Sequence, residues 1–281
     1  MCRIFGFRSV IMSQVHRSLM SADNALSSQS REHPDGWGVA YYAGGAPHVI
    51  KSAQAALNDS LFQKVSGVVS SETVLAHVRK STQGDNTLLN THPFQFGRWT
   101  FIHNGHIPNF EKYKPDLEKV ILPKFRRFVL GDTDSEIIFF VILSYLQGHT
   151  DIEKRGISID DLANACKKAN EKMTEIVGAF SDEDVEGDLS RFYLTYVLTD
   201  GETMIAHQGG KELNYSTYKT QCADRDSCPS YAYECENKTA TGYVNHLIFT
   251  SEPLSGENIW IPMTSGDLVG VDWSMKLSHY T

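Results

Sequence analysis

Cys2 is the residue of this chain best suited to covalent chemistry. It stands in Met1-Cys2-Arg3-Ile4-Phe5-Gly6, one peptide bond from the start, ahead of a short apolar run. Removal of Met1, which a small second residue such as Cys generally permits, leaves a thiol and a free α-amine on one residue. An α-amine has an unperturbed pKa near ~7.7–8.0, so much of it is neutral, and basic, close to physiological pH. Nucleophile and general base then come together in Cys2. By itself the stretch reads first as an N-terminal cysteine without a chemical role, and the rest of the chain must shift that.

Four other stretches carry suitable groups. Ala76-His77-Val78-Arg79-Lys80-Ser81-Thr82 ends an apolar run in a guanidinium and two hydroxyls. Arg79 suits bidentate binding of a carboxylate, with a hydrogen bond added by Thr82. Phe101-Ile102-His103-Asn104-Gly105 brings a side-chain amide beside a glycine N–H. Two donors converging on one point make an oxyanion hole, worth about 3–4 kcal/mol per donor. Asp132-Thr133-Asp134-Ser135-Glu136 offers carboxylates that suit an ammonium, and Asn90-Thr91-His92-Pro93-Phe94 is a rigid turn holding an imidazole. Each stretch has an ordinary structural counterpart. Arg79 suits a surface ion pair, Asn104-Gly105 a turn, Asp132 and Thr133 a helix cap, and His92 a loop position.

The elements that must position these groups follow from periodicity and turn residues. Residues 3–10 are expected as a strand beginning at the nucleophile, and 13–29 as a helix with Val15, Leu19, Ala22 and Leu26 on one face. Gly44-Gly45 predicts a hairpin between Val39-Ala40-Tyr41-Tyr42 and His48-Val49-Ile50. A short helix is expected over 58–69 and strands over 74–79 and 99–103, the latter stopped by Asn104-Gly105. Thr133 and Glu136 have capping-box spacing before an apolar helix body from Ile137 to Leu146. A second helix near 159–178 puts Leu162, Ala165, Cys166, Ala169, Met173, Ile176 and Val177 on one face, with Cys166 in the core. Strands are expected over 191–199 and 203–207, around an Asp200-Gly201-Glu202 hairpin, and again over 243–250, 257–261 and 267–271. Helices between two groups of strands, without βαβ alternation, imply an α+β protein of stacked antiparallel sheets with helices outside. No repeat or low-complexity linker divides the chain, so residues 1–281 are expected to form one domain, with 211–241 an insertion loop.

Composition narrows the function. The chain of 281 residues is 41% hydrophobic, enough for a large core, and its formal net charge of −8 argues against nucleic-acid binding. Lys124-Phe125-Arg126-Arg127 is too short a basic run to reverse that and suits a solvated face. No stretch approaches the ~20 apolar residues of a membrane helix, which points away from a membrane and toward the cytoplasm. Five cysteines are not a disulfide framework in a chain of this length, and a reducing compartment keeps a nucleophilic thiol active. Cys222, Cys228 and Cys235 lack zinc-knuckle spacing, so no metal is expected.

Taken together, Met1–Gly6, Asp35-Gly36-Trp37-Gly38, His77-Val78-Arg79, Asn90–Phe94, His103-Asn104-Gly105, Asp132–Glu136 and Thr250-Ser251-Glu252-Pro253-Leu254 resemble the glutaminase domain of class II glutamine amidotransferases. These belong to the N-terminal-nucleophile hydrolase superfamily. The motifs occur in the family's order and span residues 1 to 254. The resemblance implies a four-layer αββα sandwich, no cofactor, and hydrolysis of a glutamine side-chain amide through a γ-glutamyl thioester on Cys2. It assigns Asn104 and Gly105 to the oxyanion, Arg79 with Thr82 nearby to the substrate α-carboxylate, Asp134 to its α-ammonium, and His92 to shaping the pocket. The motifs fill the chain, as in stand-alone members that act on other γ-glutamyl compounds. Two modes remain open: an autonomous amidohydrolase of glutamine or a small γ-glutamyl amide, and a glutaminase subunit that delivers ammonia to a synthase partner. Homo-oligomerisation is likewise open.

Overall fold

The computed structural model describes residues 2–15, 17–22, 24–185 and 187–281. Two antiparallel sheets face each other. The first has seven strands: β1 (Arg3–Gln14), β2 (Trp37–Ala43), β3 (Ala46–Ser52), β4 (Ser70–Val78), β9 (Asn214–Ser216), β10 (His246–Thr250) and β11 (Ile261–Pro262), in the order β11-β9-β10-β1-β4-β2-β3. The second comprises β5 (Phe94–Phe96), β6 (Trp99–His106), β7 (Tyr193–Thr199), β8 (Met204–His207), β12 (Leu268–Val271) and β13 (Leu277–Tyr280), in the order β13-β12-β8-β7-β6-β5.

Side-chain alternation along the strands separates three apolar layers. Ile4, Leu75 and Phe249 of the first sheet meet Ile102, Val197, Ala206 and Val269 of the second between the sheets. On the outer face of the first sheet, Phe5, Trp37 and Val74 pack with Leu26 of α1 (Leu26–Gln29) and with Phe62 and Val65 of α2 (Ser60–Val68). On the outer face of the second, Phe101, Tyr196 and Leu198 pack under α3 (Phe110–Val120), α4 (Pro123–Arg126), α5 (Asp134–His149) and α6 (Ile159–Val177). Helices on both outer faces of two stacked sheets make the αββα layering. It buries α5 almost entirely, with Phe139 stacked on Phe101 at 5.3 Å between ring centres.

Several expectations change. The helix expected over 13–29 is a continuation of β1 to Gln14, a π-helical turn at Arg17–Ser21 and the short α1; His16 and Asp23 lie outside the described residues. The apolar spacing there is met by Val15, Leu19 and Leu26 packing on the first sheet without one continuous helix. Asn104-Gly105 does not stop its strand: β6 runs through both, paired with Thr195 and Leu194. The capping box is half made. Thr133 accepts from Glu136 N at 3.3 Å, but the Glu136 carboxylate turns to the backbone N–H groups of Leu130 and Gly131. Two helices over 110–126 lack a clean signal because Pro115 interrupts the first, and Phe125 of the basic run is buried core rather than solvated face. Residues 211–241 begin inside the fold, with Lys211 and Leu213 buried and β9 paired to β10. No helix among the described residues is long and apolar enough to cross a membrane.

Candidate active site

Cys2 sits at the head of β1, a central strand held between β10 and β4. Its thiol is buried against the start of the loop that follows β4: Lys80 N donates to Sγ at 3.3 Å, and Sγ lies 3.4 Å from the Lys80 carbonyl. Burial pushes the thiol pKa up, and the Lys80 N–H and the charge of Arg79 oppose that shift. A thiol so placed needs a base to ionise near neutrality. Ser251 anchors the strand behind it, its Oγ accepting from Ile4 N at 3.0 Å.

Asn104 and Gly105 lie in β6 of the facing sheet. Asn104 is buried and its Oδ1 has no hydrogen-bond partner among the described residues. Gly105 is pressed against β7: a Cβ there would stand 2.2 Å from the Tyr193 carbonyl, so a side chain cannot fit without moving the strand. Asp134 opens α5, where helix N–H groups favour a carboxylate. It accepts from Ile107 N and Ser135 N, each at 2.7 Å. Cys2, Arg79 and Asp134 lie within electrostatic reach of one another.

Arg79 is buried, but its Nη atoms hold the loop 81–86. They donate to Ser81 Oγ, to Asn86 Oδ1 and to the carbonyls of Gln83, Gly84 and Asp85 at 2.7–3.3 Å. Asp35 binds the same loop through Ser81 N and Asn86 Nδ2. Thr82 is exposed on this loop, and its hydroxyl is not brought to Arg79. The role of Asp35 escapes a sequence reading because its partners lie 46 and 51 residues away.

His92 is enclosed, its ring 4.1 Å from His77 and 4.7 Å from Phe94, with neither nitrogen hydrogen-bonded among the described residues. Burial drives its pKa well below the ordinary imidazole value, which suits a wall and not a proton carrier. Gly38 faces this turn: a Cβ there would approach the His92 carbonyl to 2.1 Å. His77 bonds the His103 carbonyl through Nε2, and His103 bonds Ser135 Oγ through Nδ1 at 2.9 Å, tying both sheets to α5.

Burial also pushes the pKa of His77 and His246 down to about 3 and that of His207 to about 4. Unfolded histidines titrate near ~6.5, so below that pH the unfolded chain binds more protons than the folded one. Stability therefore falls on acidification, on the order of 2 kcal/mol for each such histidine at pH 5. Thermal unfolding followed by circular dichroism should show a midpoint that drops between pH 7 and pH 5; a flat profile would contradict these neutral, buried rings.

Two facing antiparallel sheets with helices outside, and a cysteine, an amide and a carboxylate gathered at one end of the central strands, define an amidohydrolase-like layout. The chain belongs to the class II glutamine amidotransferases, whose family model matches residues 1–274. It is 28% identical over 314 residues to the Saccharomyces cerevisiae protein named "Probable glutamine amidotransferase DUG3", covering 99% of this chain and 84% of that one. A segment of 72 residues is 38% identical to the gamma-glutamyl-hercynylcysteine sulfoxide hydrolase of Mycobacterium tuberculosis, over 25% of this chain and 31% of that protein. The fold matches a glutamine aminotransferase class-II domain protein from Silicibacter pomeroyi with a TM-score of 0.60 at 19% identity, covering 99% and 98% of the two chains. Among the described residues no group of His, Cys, Asp or Glu is placed to hold a metal ion.

Proposed function

We propose that the chain is an amidohydrolase that uses Cys2 as an N-terminal nucleophile on glutamine or a small γ-glutamyl amide. The observation that carries this reading is the position of the Cys2 thiol, buried at the head of β1 against the Lys80 backbone and within reach of Arg79 and Asp134. After Met1 is removed, the α-amine takes the proton from Sγ and the thiolate attacks the γ-carbonyl carbon. The carbonyl oxygen becomes an oxyanion held by Asn104 and the Gly105 N–H. Collapse breaks the C–N bond, the α-ammonium returns its proton to the departing amine, and water then releases glutamate from the thioester. The oxyanion takes the Nδ2 donor of Asn104, while its Oδ1, unpartnered among the described residues, is free to accept from a substrate N–H, and a buried acceptor left unpaired costs about 1–3 kcal/mol. Asp134 takes the substrate ammonium. Arg79 takes its carboxylate when the loop 81–86 gives up the Nη donors. The short match to a gamma-glutamyl hydrolase supports amides larger than glutamine.

Intact mass before and after exposure to 6-diazo-5-oxo-norleucine, a reactive glutamine analogue, tests this. Loss of Met1 and one label on Cys2 are expected; a processed chain labelled elsewhere would overturn the reading. One observation favours a partner-gated glutaminase as the second reading. Leu88 and Leu89, 54% and 52% exposed, stand on the loop beyond Arg79, next to Leu130, 63% exposed. The Leu89 carbonyl lies against Gly131, so the two segments touch. Docking on such an apolar patch would move the loop that occupies Arg79.

A further inference from the structure

A cavity of about 340 Å³ opens beside Asn104 and is lined by Arg3, Asp184, Lys211, Glu212, Ser251 and Glu252. Arg79 and Asp134, which the reading above gives to the glutamyl moiety, do not line it. It begins at Arg3, covalently next to Cys2, and includes Asn104. Cys2 itself does not line it, so its link to the site is Asn104, which the reading above gives to the oxyanion.

Its two cations differ in what they already hold. Lys211 is buried and committed: its Nζ donates to Asp184 and to the Val185 carbonyl and lies 4.0 Å from the centre of the Tyr193 ring. Arg3 is loosely held. Among the described residues its Nε is buried without a hydrogen-bond partner, and its ion pair to Glu252 Oε2 is long, at 3.5 Å beyond a good hydrogen bond. Glu252 is itself held by Asn24 Nδ2 at 3.3 Å. A guanidinium offers five donors in a fixed fork, which fits a carboxylate two-pronged.

We propose that Arg3 is a specificity-determining residue that binds a carboxylate on the departing amine, so that the site favours γ-glutamyl-α-amino acids over amides whose departing amine is uncharged. The inference rests on the γ-glutamyl reading above and adds the leaving group to it. In such a substrate the carboxylate is borne on the carbon attached to the scissile nitrogen, close to the oxyanion position beside which the cavity opens. Among the described residues, with Asp184 paired to Lys211, the other charged lining residues are Arg3, Glu212 and Glu252, of which Arg3 and Glu252 stand 3.5 Å apart. One cation and flanking carboxylates match the product, an amino acid with a carboxylate for Arg3 and an ammonium for Glu252 or Glu212.

The test compares kcat/KM for γ-glutamylalanine and γ-glutamylethylamide, which differ by that carboxylate, in the processed full-length protein and in Arg3→Ala and Arg3→Lys. The native ratio is expected to favour γ-glutamylalanine by at least about tenfold, to fall toward one in Arg3→Ala and to recover in part in Arg3→Lys. A ratio that stays the same in Arg3→Ala, whatever the absolute rates, or a native ratio near one, overturns the role of Arg3 while leaving the γ-glutamyl reading intact. Hydrolysis of glutamine but of neither compound overturns this inference alone; hydrolysis of none of the three by the native protein overturns that reading and this inference together.

Discussion

Replacing Cys2 by serine is expected to lower kcat/KM for glutamine by at least about a thousandfold while leaving the thermal midpoint unchanged. Serine is close to isosteric and can keep the contacts to the Lys80 N–H and carbonyl that hold Sγ. What it loses is the thiolate, because an α-amine of pKa near ~7.7–8.0 ionises a thiol far more readily than a hydroxyl. Retention of Met1 should abolish activity to the same degree by converting the amine into an amide. The base must be neutral to act, so kcat/KM should rise with pH through the α-amine pKa and fall below it. Steady-state rates on Cys2→Ser, read beside its unfolding curve, check this. A variant within tenfold of the native rate would place the nucleophile elsewhere.

The next largest effect is expected for Asn104→Ala, a fall of about 10²–10³ in kcat with little change in KM. A donor aimed at the oxyanion acts on charge that exists only in the transition state, so its removal should leave ground-state affinity alone. The structure keeps such a substitution local. Asn104 is held in β6 by its backbone pairing to Thr195, and among the described residues its Oδ1 makes no hydrogen bond that folding would lose. A rise in KM at constant kcat would instead make Asn104 a residue that binds the substrate amide in its ground state.

Much of the architecture was legible in local pattern. Gly44 and Gly45 take positive φ in the β2–β3 hairpin, and Gly201 does so between β7 and β8, as turn chemistry requires. The apolar run from Ile137 to Leu146 is the buried helix its composition demands, and Cys166 is fully buried on α6. These are properties of residues within one turn of each other, where period and capping decide the outcome. The stretch over 13–29 misled because apolar positions spaced for a helix can also be buried by a strand end and two short turns against a sheet.

The site was legible as residue types and not as an arrangement. Cys2, Asn104 and Asp134 come from β1, β6 and α5, whose approach depends on two sheets packing face to face. Folding decided that Arg79 holds its own loop, that Thr82 faces solvent, and that Asp35, at the start of the neighbouring strand, clamps the loop. It also decided that Lys211, inside a polar stretch that looked like an insertion, is buried against Tyr193. Apart from the bonds of Arg79 to its own loop, such contacts join residues several turns or a whole strand pair apart in the chain. Their energy lies in desolvation and in shared hydrogen bonds, which arise only when the layers close, so no local periodicity carries them.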